Sequence, residues 1–245
     1  MSIDTSTVQV VDGVLFEFHH VRVKSPAGIR LRDESCSIPD HGVTVIAGPS
    51  GSGKSSLLRL CNRLDVPPAG GVNYRGGDLA DFDPLELRRQ VGMVFQRPVA
   101  LPGTVLDNLR QAAPEVADDE AEQVLGHVGL GGMSGRDARE LSGGEAQRMG
   151  IARTLLTEPN IVLFDEPTSS LDPGASVSIE AIAVDLANAG TPSVWVTHDL
   201  NQMQRLAHHL IVVIDGAIAQ EGDLDDVLTQ PIPEVEQFLA GEQRW

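Results

Sequence analysis

The residues Gly48-Pro49-Ser50-Gly51-Ser52-Gly53-Lys54-Ser55 match the pattern G-x-x-x-x-G-K-[ST] in full. Glycines let backbone N–H groups curl around phosphate oxygens, and a helix that follows aims its positive end at the same oxygens. In such a loop Lys54 holds the β- and γ-phosphates and Ser55 offers its hydroxyl to Mg²⁺, with Ser56 beside it in the first helical turn. A glycine-rich turn without a ligand is the bland alternative. It has no need of a lysine, and the chain holds only two, Lys24 and Lys54, against sixteen arginines.

A second group follows in Ile161-Val162-Leu163-Phe164-Asp165-Glu166, where an apolar strand runs into two carboxylates. Open α/β sheets bind ligands at the carboxyl ends of their strands. There Asp165 can hold Mg²⁺ through a water, and Glu166, facing the other way, can polarise an attacking water. Alone, such a pair is as often the start of a loop. Downstream of a phosphate loop it gains meaning.

A third group is Leu141-Ser142-Gly143-Gly144-Glu145-Ala146-Gln147-Arg148. Ser142 suits an N-cap and Glu145, three residues on, completes a capping box, so this is a helix start whose glycines admit close approach of an anion. The complete string resembles the signature sequence of ABC ATPases, and the other elements of that family appear in the same order. Gln96 resembles the Q-loop glutamine, which senses the metal and contacts the membrane subunit. Ser170-Leu171-Asp172 resembles the D-loop that crosses the dimer interface, and His198 the switch histidine at the γ-phosphate. The chain has seven histidines, most of them expected to be structural; His19-His20 and His208-His209 receive no role.

These groups need elements to hold them. Residues 14–23 and 29–38 read as paired strands across a Ser25-Pro26-Ala27-Gly28 turn, and 43–47 as a short strand running into the phosphate loop. Leu57, Leu58, Cys61 and Leu64 recur at helical spacing after it, the helix ending before Pro67-Pro68. A short helix over 84–89 and a strand over 91–95 come next, then mainly helical sequence over 101–156. The mainly apolar runs 161–164 and 194–197 look like parallel strands covered on both faces, with a helix over 179–189 between them. Residues 210–214 and 217–220 form a hairpin about Asp215-Gly216.

The expected fold is therefore α/β: a P-loop NTPase core of mixed sheet flanked by helices, an antiparallel β subdomain, and an α-helical insertion. The resemblance implies a single ABC ATPase domain over residues 1–245, with the core and β subdomain expected over 10–98 and 157–245, and the insertion, carrying the signature motif, over 99–156.

Composition bounds the partners. The content of 41% hydrophobic residues supports an ordinary core, and no apolar run reaches the roughly 18 needed to cross a membrane. The first ten residues lack a basic start and an apolar signal core, which predicts a chain that stays in the cytosol. A net charge of −17, with no local basic patch, argues against nucleic acid as a partner. The acidic run Glu115 to Glu122 reads as the solvated face of a helix, and Cys36 and Cys61 as reduced buried thiols.

The family resemblance covers roughly residues 14–239 and implies ATP and Mg²⁺ as ligands. It implies a head-to-tail homodimer in which Lys54 and Ser55 of one copy face Ser142 and Gly144 of the other across ATP. It also implies a separate membrane permease, which would hold this chain at the inner face of the cell membrane and determine the substrate. Residues 56–64 look like the phosphate-importer ATPases. Residues 91–109 and 171–204 are similar to those of plant aluminium-tolerance and bacterial metal-efflux transporters, so direction of transport stays open. The alternative is a soluble ABC ATPase acting on DNA, ribosomes or a complex under assembly. One departure stands out: the position of the family's adenine-stacking aromatic falls on Ser25, which implies modest discrimination between ATP and GTP.

Overall fold

The computed structural model describes residues 13–25 and 28–241. β1 (Val14–Ser25) and β2 (Gly28–Pro39) pair antiparallel, and Phe16, Phe18, Val21 and Val23 point from β1 into the interior. β3 (Val43–Ala47) is buried at every residue and leads through the phosphate loop into α1 (Lys54–Leu60). β4 (Ala69–Tyr74) and β5 (Gly77–Asp78) complete an antiparallel sheet in the order β2-β1-β4-β5. α2 (Pro84–Gln90), capped by Asp83, runs into β6 (Val91–Val94).

Three helices follow: α3 (Val105–Arg110), α4 (Asp118–His127) and α5 (Gly143–Leu155). The chain then returns to the sheet through β7 (Ile161–Asp165), α6 (Pro173–Asn188), β8 (Ser193–Thr197), α7 (Leu200–Leu206), β9 (His209–Ile214) and β10 (Ala217–Asp223). It ends in α8 (Leu224–Thr229) and α9 (Pro233–Leu239). The second sheet has the order β10-β9-β3-β8-β7-β6, parallel throughout except for the antiparallel β10.

Alternation along these strands builds two cores. Val45, Phe164, Trp195 and Val212 face one way, onto a core shared with α3 to α7. Ile46, Leu163, Val196 and Ile211 face the other way, toward α1 and the antiparallel sheet. Strands covered on both faces have no polar side to show, hence the unbroken apolar runs. Phe164 and Trp195 lie on neighbouring strands with ring centroids 5.0 Å apart, an aromatic pair that fastens β7 to β8 beneath the site.

Several boundaries differ from the sequence expectation. The helix expected over 179–189 starts at Pro173, because Asp172 caps the amides of Gly174 and Ala175 and proline suits the first turn. The strand expected over 91–95 stops at Val94, leaving Phe95 half exposed. The second hairpin strand extends to Asp223. Of the Ser25–Gly28 turn, Pro26, Ala27 and the Ser25 side chain lie outside the described residues. Cys36 and Cys61 are free and buried, and the α4 carboxylates 118–120 are solvated.

Candidate nucleotide-binding site

Between β3 and α1 the chain needs backbone that only glycine adopts freely. Gly48 and Gly53 have φ of 148° and 111°, and a Cβ there would run into the carbonyl oxygens of Val213 and Arg30. The turn is closed by the Ser52 amide donating to Pro49 O at 3.2 Å. It is tied to the β9–β10 hairpin by the Gly216 amide donating to Ser52 O at 2.9 Å. Lys54 folds back into this loop. Its Nζ donates to Gly48 O at 2.9 Å and Pro49 O at 2.6 Å, and its side chain is only 3% exposed. Burial lowers its pKa, while Glu166 and Asp165 pull it back up.

The ends of β7 and β8 bring the acidic pair and His198 to the same place. Asp165, buried, accepts from Ser55 Oγ at 2.6 Å and from Arg59 Nη2 at 3.3 Å. Ser55 and Asp165 are 110 residues apart in sequence. Glu166 adopts the left-handed region at φ 45°, unusual for a side chain of this kind, which turns its carboxylate across the loop. One oxygen lies 4.0 Å from Lys54 Nζ and the other 3.3 Å from His198 Nδ1. Across His198, Thr197 Oγ1 accepts the Asp199 amide at 3.0 Å, and Asp199 caps α7. The structure thus gathers Lys54, Ser55, Asp165, Glu166 and His198 at adjoining strand ends.

Gln96 lies just past β6, exposed, its Nε2 donating to Ser169 Oγ at 3.0 Å. The remaining candidates sit elsewhere. Ser142 caps α5: its Oγ accepts the Glu145 amide at 3.3 Å, while Glu145 Oε2 accepts the Ser142 amide at 2.7 Å. These bonds, with Arg136 at 3.1 Å, hold the Glu145 carboxyl below its usual range. Ser142, Gly143, Gly144, Glu145 and Asp172 line one cleft, which includes none of the phosphate-loop residues. Here too the glycines allow close packing: a Cβ at Gly144 would lie 3.0 Å from that of Ala175, and one at Gly143 3.3 Å from Leu171.

The motif reading gives no role to Arg59, Ser169 or Gln147, and the Gln147 Nε2 donates to Phe95 O at 2.8 Å. Arg59 was within reach of sequence reasoning, since the residue four after Ser55 shares its helix face. Ser169 and Gln147 were not, because their partners lie 73 and 52 residues away. The adjacent histidines are structural: His208 Nδ1 accepts the Val43 amide at 3.2 Å, and His209 Nδ1 lies 3.8 Å from Asp223.

A glycine-rich turn leaving a parallel strand, a lysine folded into it and an acidic strand end beside it define a P-loop nucleotide-binding domain. Residues 31–169 match the family described as ABC transporter, and the chain belongs to that family. It is 38% identical to ABC transporter I family member 17 of Arabidopsis thaliana, over 89% of this chain and 85% of that protein. It is 36% identical to phosphate import ATP-binding protein PstB 1 of Vibrio cholerae, over 86% of this chain and 84% of that one. A crystal structure of a nucleotide-free ATP-binding cassette from an ABC transporter superposes with TM-score 0.79 at 26% identity, covering 92% and 98% of the two chains. The chain is an ATPase of the kind that powers membrane transporters. No helix among the described residues is long and apolar enough to cross a membrane.

Proposed function

We propose that this chain works as a head-to-tail pair of copies that closes around two ATP molecules and so moves a separate membrane subunit. The observation that carries this is the division of the site: Lys54, Ser55 and Glu166 form one group, while Ser142, Gly144 and Asp172 form another facing its own cleft. One copy supplies one half of each complete site.

The phosphate-loop group suits a nucleotide bound with Mg²⁺. Lys54 is a buried cation whose ion-pair partner Glu166 is 4.0 Å away, and Ser52 Oγ is buried with no hydrogen-bond partner. Both are groups that phosphate oxygens would satisfy. Mg²⁺ would be held by Ser55, Gln96 and, through water, Asp165, and it would neutralise charge on the β- and γ-phosphates. Backbone amides of residues 48 to 56 cradle the phosphates, and Lys54 orients them. Glu166 takes a proton from the attacking water while His198, 3.3 Å from it, steadies the γ-phosphate. Ser142, Gly143, Gly144 and Glu145 of the second copy close the far side, with Asp172 at the seam.

Half-exposed Phe95 and Val99 line a groove with Leu64, Arg97 and Arg153, beside Gln96. We assign this groove to a cytosolic helix of the membrane subunit. Movement of Gln96, bonded to Ser169 near Glu166, would then couple that helix to hydrolysis. The test is to purify the tagged chain from detergent-solubilised membranes of its host and identify what accompanies it. A polytopic membrane protein in near-equal amount supports the reading. Ribosomes or soluble proteins alone overturn it.

A further inference from the structure

Behind Glu166 and His198 lies a cavity of about 600 Å³, whose walls include Thr168, Glu180, Gln202 and Arg205. The nucleotide chemistry described above uses none of these four. Glu180, on α6, has a side chain only 6% exposed. Its Oε2 accepts from Arg205 Nε at 2.9 Å, and its Oε1 accepts from Arg205 Nη2 at 2.9 Å and Gln202 Nε2 at 2.8 Å. Arg205 and Gln202 both stand on α7, so the carboxylate is a fixed anchor for that helix.

Gln202 spends its whole side chain on this arrangement. Its Oε1 accepts the indole N–H of Trp195 at 2.9 Å, and its Nε2 donates to Thr168 Oγ1 at 3.0 Å as well as to Glu180. An amide with both donors and its acceptor engaged has one orientation, because a flip would set donor against donor. The two outer partners matter most. Trp195 lies on β8 three residues before His198, and Thr168 lies two residues after Glu166. One glutamine therefore holds both segments that carry the catalytic pair. Its own backbone amide also donates to the Asp199 carboxylate at 3.3 Å, next to His198.

We propose that Gln202, clamped by Glu180 and Arg205, is a positioning residue that sets the spacing of Glu166 and His198 for hydrolysis. The proposal rests on the assignment of Glu166 and His198 as the hydrolytic pair. A purely structural brace would change stability and leave the turnover of folded protein alone. A positioning residue acts on kcat and spares ATP binding, since none of the hydrogen bonds of Gln202 and Arg205 in this network goes to a residue of the phosphate loop.

The test is steady-state hydrolysis by the full chain carrying Gln202→Met, which keeps the shape and removes the hydrogen bonds. The Trp195 indole N–H resonance, assigned with Trp245→Phe, reports whether the network is broken. The expected result is a moved indole resonance, a kcat lowered about 10-fold or more, and a KM for ATP within about 2-fold. Arg205→Lys, a milder change that keeps the charge and loses the bidentate contact, is expected to lower kcat about 3-fold and serves if the first variant is unstable. A moved resonance with kcat within about 2-fold of wild type overturns the proposal, as does a KM raised as much as kcat falls. Wild type and Glu166→Gln run alongside separate the two levels. An idle wild type, or a fully active Glu166→Gln, overturns the assignment of the site and this proposal together. An active wild type, an inactive Glu166→Gln and an unaffected Gln202→Met overturn this proposal alone.

Discussion

Lys54 and Ser55 at the start of α1 and Asp165 and Glu166 at the end of the buried β7 are already bonded to one another or nearly so. Ser142 and Gly143, by contrast, lie exposed at the start of α5, and the bonds of their capping box serve the helix itself. The first region is pre-organised: β3, β7 and β8 are parallel neighbours, so residues at their carboxyl ends meet without further adjustment. The second is a finished surface. Its hydrogen bonds are satisfied internally except for the amides that a capped helix leaves pointing outward. The region that holds charge in a buried place is built into the sheet, while the one proposed to meet a second copy of the chain is built on a helix end.

That contrast breaks most sharply at Glu166. Glu166→Gln should lower turnover by about 100-fold or more while leaving an ATP-stabilised dimer visible by light scattering. Unchanged turnover would remove Glu166 from its role. Lys54→Ala should weaken ATP binding by calorimetry about 10- to 100-fold, because the phosphates lose a charged donor. Gly144→Ala addresses the other region. A Cβ placed 3.0 Å from Ala175 shifts the helix start, and hydrolysis should fall about 10-fold with ATP affinity of the isolated chain unchanged. A matching loss of affinity would mean that both regions serve one site within a single copy. The wild-type rate should also rise faster than linearly with protein concentration.

Smaller effects sharpen the picture. With serine at position 25, hydrolysis of ATP and GTP should differ by no more than about 3-fold, since the stacking that would separate them is worth about 1–3 kcal/mol. A large preference for ATP would show that another group recognises the base. The least effect is expected at His209, whose pKa burial lowers from 6.5 although Asp223 opposes the shift and His41 adds to it. The unfolded chain then binds the proton more readily, so stability present above pH 6.5 is lost as pH falls toward the lower folded value. Melting temperatures measured on both sides of pH 6.5 should show this slope, and His209→Gln should flatten it.

The phosphate loop, the acidic strand end and the capped signature helix were legible in the residues alone, because each is local chemistry. Glycine where φ must be positive, an N-cap with its partner three residues on and an apolar run covered on both faces leave marks within a few positions. The apolar runs of β7 and β8 were read for the same reason, whereas the start of α6 shifted because the Asp172 cap outweighs periodicity. The sheet order β10-β9-β3-β8-β7-β6 belongs to tertiary structure, and so do the contacts it makes possible. Ser55 meets Asp165, Gln96 meets Ser169, and Gln202 joins Trp195 to Thr168 and Glu180 only because separate strands and helices pack side by side. Local pattern names the residues that can do chemistry, and long-range packing, driven by burial of the two cores, decides which of them stand within a hydrogen bond of each other.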